Sequence, residues 1–299
     1  LKKSATEFNL PVQAIVLAAI AWAVMALLFF LLFSISLPDQ GRPAWYGLIT
    51  YIFENGAFLG AGILCLRNWR SPQIVSGRTV WLAIGLGMLS FFIGNLLLGY
   101  WELALQQEPA VSPGDPFFIL TYLFIGGGMF LAVLSRRLNL ALVQWLTVAG
   151  IGLAGSTLVY YLYAAPEEVV AEAAEAEPIA ETTAPSWALA IEQQLSPFAD
   201  AVALLYVVGD ILLVIMATTL LLAFWGGRFS QSWRFIAAAA FCFYIADIWF
   251  SWATRYIPDY QTGALPEVFW VFSGVLFAIG AALEYDLSTR SRRSSRRRA

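Results

Sequence analysis

Three carboxylates stand where a carboxylate is expensive. Glu54, Asp210 and Asp247 each lie within a run of apolar residues, and Asn95 holds a similar position in a fourth run. An ionised acid near the centre of a membrane-crossing helix costs about 2.5–3.5 kcal/mol on insertion scales, so all four side chains are expected to face the interior of a bundle. Two chemistries suit them. They hydrogen-bond across helices, at about 0.6 kcal/mol or more per bond, or they line one polar cavity for a proton or a ligand. No Lys or Arg accompanies them inside the runs, which favours protonation or a cationic guest.

Two further acids sit at helix starts. Ser112-Pro113-Gly114-Asp115-Pro116 places Asp115 as N-cap with Pro116 at the first helical position. Pro266-Glu267 puts an acid in a first turn, where the helix dipole favours it. Both are expected to cap helices at the mouth of the same cavity.

Other chemistry is scarce. His is absent, which excludes His-bound metal, His-bound haem and His acid–base work. There is no phosphate-cradling glycine loop with its Lys, no nucleophile elbow and no zinc signature. Cys65 and Cys242 lie inside apolar runs and read as small packing residues. A chain without catalysis, metal or cofactor is expected.

The elements that must hold these residues follow from composition. The 299 residues are 60% hydrophobic and 12% charged, with a mean hydropathy of +0.72. Soluble domains carry roughly 25% charged residues, so the sequence predicts an all-α, polytopic membrane helix bundle. About 20 apolar residues cross the hydrocarbon, and eight stretches qualify, near 11–36, 44–66, 79–104, 116–134, 139–163, 198–225, 234–255 and 266–285. The first is long enough to span and lacks a small-residue cleavage site, so it reads as a retained helix. Gly126-Gly127-Gly128 and the Gly56/Gly60 pair read as close helix packing.

Orientation comes from the basic residues. Fifteen of the 17 Lys and Arg fall on the side of the N-terminus, leaving Arg42 and Arg255 on the other. The positive-inside rule then places both termini in the cytoplasm, as expected for a bacterial inner membrane. The connection 164–197 carries Glu167, Glu168, Glu172, Glu175, Glu177, Glu181 and Glu192 without a base, and reads as a mobile, solvated acidic loop on the outer face, with cation binding or partner docking as the alternative. Its Glu-Ala stretch suits a short helix but has no core to join. The basic tail 290–299 suits anionic lipid, at about 1 kcal/mol per basic residue. Nucleic acid is not an expected partner.

A displacement of 152 residues lays the third and fourth spans on the seventh and eighth. Trp81 then meets Trp233, Ile84 meets Ile236, Phe91 meets Phe243, Asn95 meets Asp247, Asp115 meets Glu267 and Gly128 meets Gly280. With a four-residue gap, Glu54 meets Asp210 and Trp69 meets Trp225. Residues 1–138 and 139–289 thus read as two four-helix repeats. An even number of helices per copy makes the copies parallel, related by an axis along the membrane normal.

The segments Phe92-Ile93-Gly94-Asn95 to Trp101 and Ser112-Pro113-Gly114-Asp115-Pro116-Phe117-Phe118, with Gly209-Asp210 and Ala246-Asp247, carry a resemblance. Residues 44–285 resemble the multi-helix sensory regions that precede diguanylate cyclase, phosphodiesterase or histidine kinase modules in bacteria. The resemblance implies a membrane input domain for an unidentified cue. The chain departs from that pattern after Arg298, where no GGDEF loop, kinase His or output module follows. A fragment, an orphan input domain or a subunit of a larger assembly would each account for that. The alternatives are an accessory subunit of a respiratory or photosynthetic complex and, third, a small-solute transporter.

Overall fold

Within lipid every backbone N–H and C=O must find its partner inside the protein, so long apolar runs settle as helices. The computed structural model describes residues 11–35, 42–43, 45–107, 109–134, 140–163, 184–224, 230–257 and 260–296, and every regular element among them is helical. The helices are α1 (Val12–Phe33), α2 (Trp45–Arg70), α3 (Arg78–Ala104), α4 (Asp115–Leu134), α5 (Leu142–Tyr163), α6 (Ser186–Leu195), α7 (Ala199–Ala223), α8 (Ser230–Tyr256) and α9 (Val268–Arg296). Eight stretches are long and apolar enough to cross a membrane, with α6, a short 3-10 turn and α7 forming one of them. The protein is an all-α polytopic bundle.

Six helices close a ring in which α2 packs on α3, α3 on α4, α4 on α7, α7 on α8, α8 on α9 and α9 back on α2. α1 lies outside this ring against α9 and α2, and α5 packs on α7. Trp22 of α1 donates its indole N–H to the Phe53 carbonyl at 3.0 Å. Gly56 makes that approach possible, because a Cβ there would sit 2.5 Å from the Trp22 ring.

The core is layered along the ring axis. At the end where α3 and α8 begin, fully buried Trp81 and Trp233 lie 6.1 Å apart and Phe224 stacks on Trp233 at 4.9 Å. Midway, Phe58 stacks on Phe91 at 3.8 Å and Phe91 meets Phe243 edge-on at 5.6 Å. Such pairs are worth about 0.5–1.5 kcal/mol each beyond the area they bury. Beyond this aromatic layer, toward the end carrying Glu267, lie the intramembrane acids. The two ends are called here the Trp233 end and the Glu267 end.

Small residues set three close helix contacts. Gly128 meets Ile84 and the Val80 carbonyl, and Gly280 meets Ile236 and the Ser232 carbonyl. Between α2 and α9, a Cβ on Gly274 would lie 2.8 Å from the Cβ of Ala57.

Two expectations are corrected. α2 runs to Arg70 and α9 to Arg296, past the expected ends at 66 and 285. Their polar ends brace each other: the Asn68 amide donates to the Ala281 carbonyl at 2.9 Å, and the Arg67 guanidinium covers the Tyr285 ring at 4.2 Å. The second correction concerns 164–197. Its last part is α6, a helix rather than a loop: Ala188 is fully buried and packs with Trp101 and Leu105. The Trp101 indole donates to Glu192 at 2.8 Å and Trp187 meets Trp101 edge-on at 5.6 Å. Ala188, Ile191 and Glu192 recur at helical spacing, so one face of a short helix meets α3.

Glu167, Glu168, Glu172, Glu175, Glu177 and Glu181 lie outside the described residues, as do Lys2, Lys3, Arg136, Arg137, Trp225, Arg228 and the expected boundary at 138. Residues 297–299 of the basic tail do too.

Candidate functional site

The four intramembrane polar residues come together as two pairs. On α2 and α3, which run in opposite directions, Asn95 donates its amide to Glu54 Oε2 at 2.9 Å. Both are buried, and Glu54 Oε1 has no hydrogen-bond partner among the described residues. Phe58 and Phe91, one turn from Glu54 and Asn95 respectively, form the aromatic stack beneath them.

The second pair is bridged. The Tyr122 phenol, from α4, lies 2.8 Å from Asp210 Oδ1 on α7 and 2.5 Å from Asp247 Oδ2 on α8. The Trp270 indole, from α9, donates to Asp247 Oδ1 at 2.7 Å. Four helices therefore meet on two carboxylates. Gly209 is what lets the Tyr122 ring across: a Cβ there would sit 2.6 Å from the ring. Phe243, one turn from Asp247, packs edge-on against Tyr122 at 5.6 Å and closes the cluster toward the Trp233 end.

Asp115 and Glu267 prove to be capping residues of a different kind. Asp115 is not the N-cap. It opens α4 and reaches back, accepting from the Ser112 backbone N–H at 2.6 Å and the Ser112 hydroxyl at 2.9 Å. Ser112 in turn accepts from the Gly114 N–H at 3.1 Å, so the acid and the serine together close the turn that leads into α4. Glu267 closes a 3-10 turn and accepts from the Gly263 and Ala264 N–H groups at 2.6 and 3.2 Å. Gly263 has φ +104°, a conformation that favours glycine.

Each capping acid also receives a phenol. Tyr206 of α7 donates to Asp115, and Tyr260 donates to Glu267. Burial and the neighbouring Glu267 carboxylate push the Tyr260 phenol well above its ordinary value. α4 and α7 are thus joined by two rungs of opposite sense, Asp115 with Tyr206 and Tyr122 with Asp210, and the two tyrosine rings lie 5.8 Å apart.

A clasp closes the Glu267 end over Glu54. Glu102 accepts from the Tyr51 phenol at 2.7 Å and the Thr262 hydroxyl at 3.0 Å. Tyr46 donates to the Gly263 carbonyl at 2.6 Å, while Arg42 donates to the Thr262 carbonyl at 2.7 Å.

Sequence reasoning named the acids but missed Tyr122, Tyr206, Tyr260, Glu102 and Trp270. A signal existed for Tyr122, which lies two helical turns after Asp115 on one face of α4, and for Tyr206, one turn before Asp210 on α7. Among the described residues no group of three or more Cys, Asp or Glu is placed to hold a metal ion. An apolar groove of about 390 Å³ between α5 and α7, lined by Trp145, Gly152, Ser156 and Ile215, touches none of the acids.

The arrangement can hold protons and hydrogen bonds between helices. No family model, curated protein or solved structure matches the chain.

Proposed function

We propose that this protein is a non-catalytic signalling input module of a bacterial inner membrane, with both termini cytoplasmic and the Glu267 end outside. It consists of two parallel halves of four spans each, α1–α4 and α5–α9, and a cue from the outer side changes how the halves pack. Ligand control of this kind requires different affinities for two packings.

One observation carries the reading. Tyr122 of the first half bridges two acids of the second, at a junction that sealed, apolar helix packing does not need. The halves meet along two seams. The α2–α9 seam is tight, with Gly274 on Ala57. The α4–α7 seam is polar, with its Tyr–Asp rungs. A tight seam suits a pivot and a polar seam suits opening. The repeat is supported by residues 152 positions apart meeting each other, Trp81 with Trp233 and Phe91 with Phe243, and by Gly128 and Gly280 meeting matched partners.

Spin labels at Leu123→Cys on α4 and Leu212→Cys on α7, in a chain whose Cys65 and Cys242 are replaced by alanine, test this in lipid nanodiscs. Two distance populations are expected, with a ratio that Asp210→Asn and Asp247→Asn shift. A single population that neither variant moves would sink the proposal.

The accessory-subunit reading draws on α5, whose Leu142, Val143, Leu146 and Leu153 are exposed apolar side chains on a helix packed on α7. Stoichiometric comigration with a large respiratory or photosynthetic complex, after gentle detergent extraction of native membranes, would replace the input reading with that one.

A further inference from the structure

We propose that Asp210 and Asp247 together bind one exchangeable proton from the aqueous phase at the Glu267 end, and that this proton is the cue. The proposal rests on reading the chain as an input module. Counting donors carries it. The Tyr122 phenol has one hydrogen, yet it lies at hydrogen-bonding distance from both carboxylates, 2.8 Å from Asp210 and 2.5 Å from Asp247. With both acids ionised, one of those approaches sets lone pair against lone pair. With one added proton, the phenol donates to one carboxylate and accepts from the hydroxyl of the other. Both contacts are then bonds.

The matched pair in the first half shows what this departs from. Asn95 stands where Asp247 does, and its amide brings a hydrogen to Glu54 at any pH. One half is closed by a permanent donor and the other by a titratable one.

The surroundings agree. The titratable groups facing the pair are Tyr122 and Asp115 from α4, Tyr206 from α7, Tyr244 from α8 and Glu267 at the start of α9. No Lys or Arg occurs in α4, α5 or α7, between residues 235 and 254 of α8, or between 268 and 289 of α9. No fixed cation is there to neutralise a second charge. Two ionised carboxylates would therefore repel in a medium of low dielectric.

The polar groups next to the pair lead to one side. Asp115, part-exposed at the Glu267 end, bonds Tyr206, and Tyr206 lies one turn from Asp210 on the same face of α7. Toward the Trp233 end, Phe243, Phe91 and Phe58 close the path. The proton arrives from and returns to the same aqueous phase, so the site binds and does not conduct.

The test uses the full chain in sealed vesicles of both orientations, with an indicator dye to count protons and infrared difference spectra to follow protonated carboxyl groups. Expected, as the solution bathing the Glu267 end is made alkaline, is release of about one proton per chain beyond what the other buried carboxyls, Glu54 and Glu267, release, with loss of a protonated-carboxyl band. Replacing choline by sodium should leave the midpoint unmoved. Asp247→Asn should fold, because it recreates the Glu54–Asn95 pairing, and should remove that one proton and that band while leaving the rest. Asn95→Asp should add a second proton.

Unchanged release in Asp247→Asn, a sodium-dependent midpoint, or a response only from the Trp233 side would each overturn the proposal. If release fails while the α4–α7 label distances still shift in Asp210→Asn, the proton idea falls alone. If those distances never shift, the input reading falls with it.

Discussion

Trp81 and Trp233, 152 positions apart in the chain, lie ring to ring at 6.1 Å in the fully buried core at one end of the helix ring. Each packs near the start of its own helix, α3 or α8, so positions 152 apart meet on the ring axis. At the other end, α2 and α3 close with an amide on an acid, whereas α4, α7 and α8 close with a phenol between two acids.

Removing the phenol isolates that difference. Tyr122→Phe is expected to lower stability by about 1–3 kcal/mol, the usual cost of stranding a buried polar partner. Thermal unfolding in detergent measures it. Combined with Asp210→Asn, the loss should be smaller than the sum of the two, because both variants delete one bond.

Gly209→Ala acts on the same bridge through space alone. Its Cβ would lie 2.6 Å from the Tyr122 ring, so the ring must swing off α7 and release Asp210. Destabilisation of about 1–3 kcal/mol is expected. Gly127→Ala, with open space around it, should be neutral or slightly stabilising by helix propensity. Equal effects at the two sites would contradict this account.

The α2–α9 contact predicts a similar contrast. Gly274→Ala forces a methyl to within 2.8 Å of Ala57 and should weaken the fold by a comparable amount. Ala57→Gly in the same chain should restore part of the loss, and unfolding midpoints of the three variants decide it.

Tyr260 gives a pH dependence. Its folded phenol is held neutral well above the ordinary value by burial and by Glu267. The unfolded phenol ionises near about 10. The folded state therefore keeps a proton that the unfolded state releases, so this contribution is complete below about pH 10 and declines as pH rises further. Tyr260→Phe should flatten that part of the stability profile, as measured by unfolding at a series of alkaline pH values.

α6 should loosen on its own. Glu192→Ala removes the acceptor of the Trp101 indole, and amide exchange in residues 186–195 should speed up while that of α7 beyond Val202 stays unchanged.

Much of this architecture could be read from composition and period. Runs of some 20 apolar residues admit only one backbone solution in lipid, and the intramembrane acids stood out because polar residues there are rare. The partners did not stand out. Tyr122 and Tyr206 belong to a chain with 12 tyrosines, and whether a phenol serves as an interface anchor or a hydrogen-bond donor depends on which helix lies opposite. That is a property of the ring closure, which local pattern does not encode. α6 was missed for a related reason: its core is Trp101 and Leu105 at the end of α3, contributed from more than 80 residues away. Asp115 was placed at the right helix end but one position off, as the first residue of α4 rather than its N-cap.

α9 has a mechanical consequence. Its 29 residues extend about 44 Å at 1.5 Å per residue, while the hydrocarbon is about 30 Å thick. The helix grips α8 on one side and α1 and α2 on the other. It is a shaft held in two bearings, longer than the hydrocarbon is thick. In an input module of the kind proposed above, a small twist of α8 against α2 would reach the far end of this helix as a change of azimuth, with no displacement along the axis.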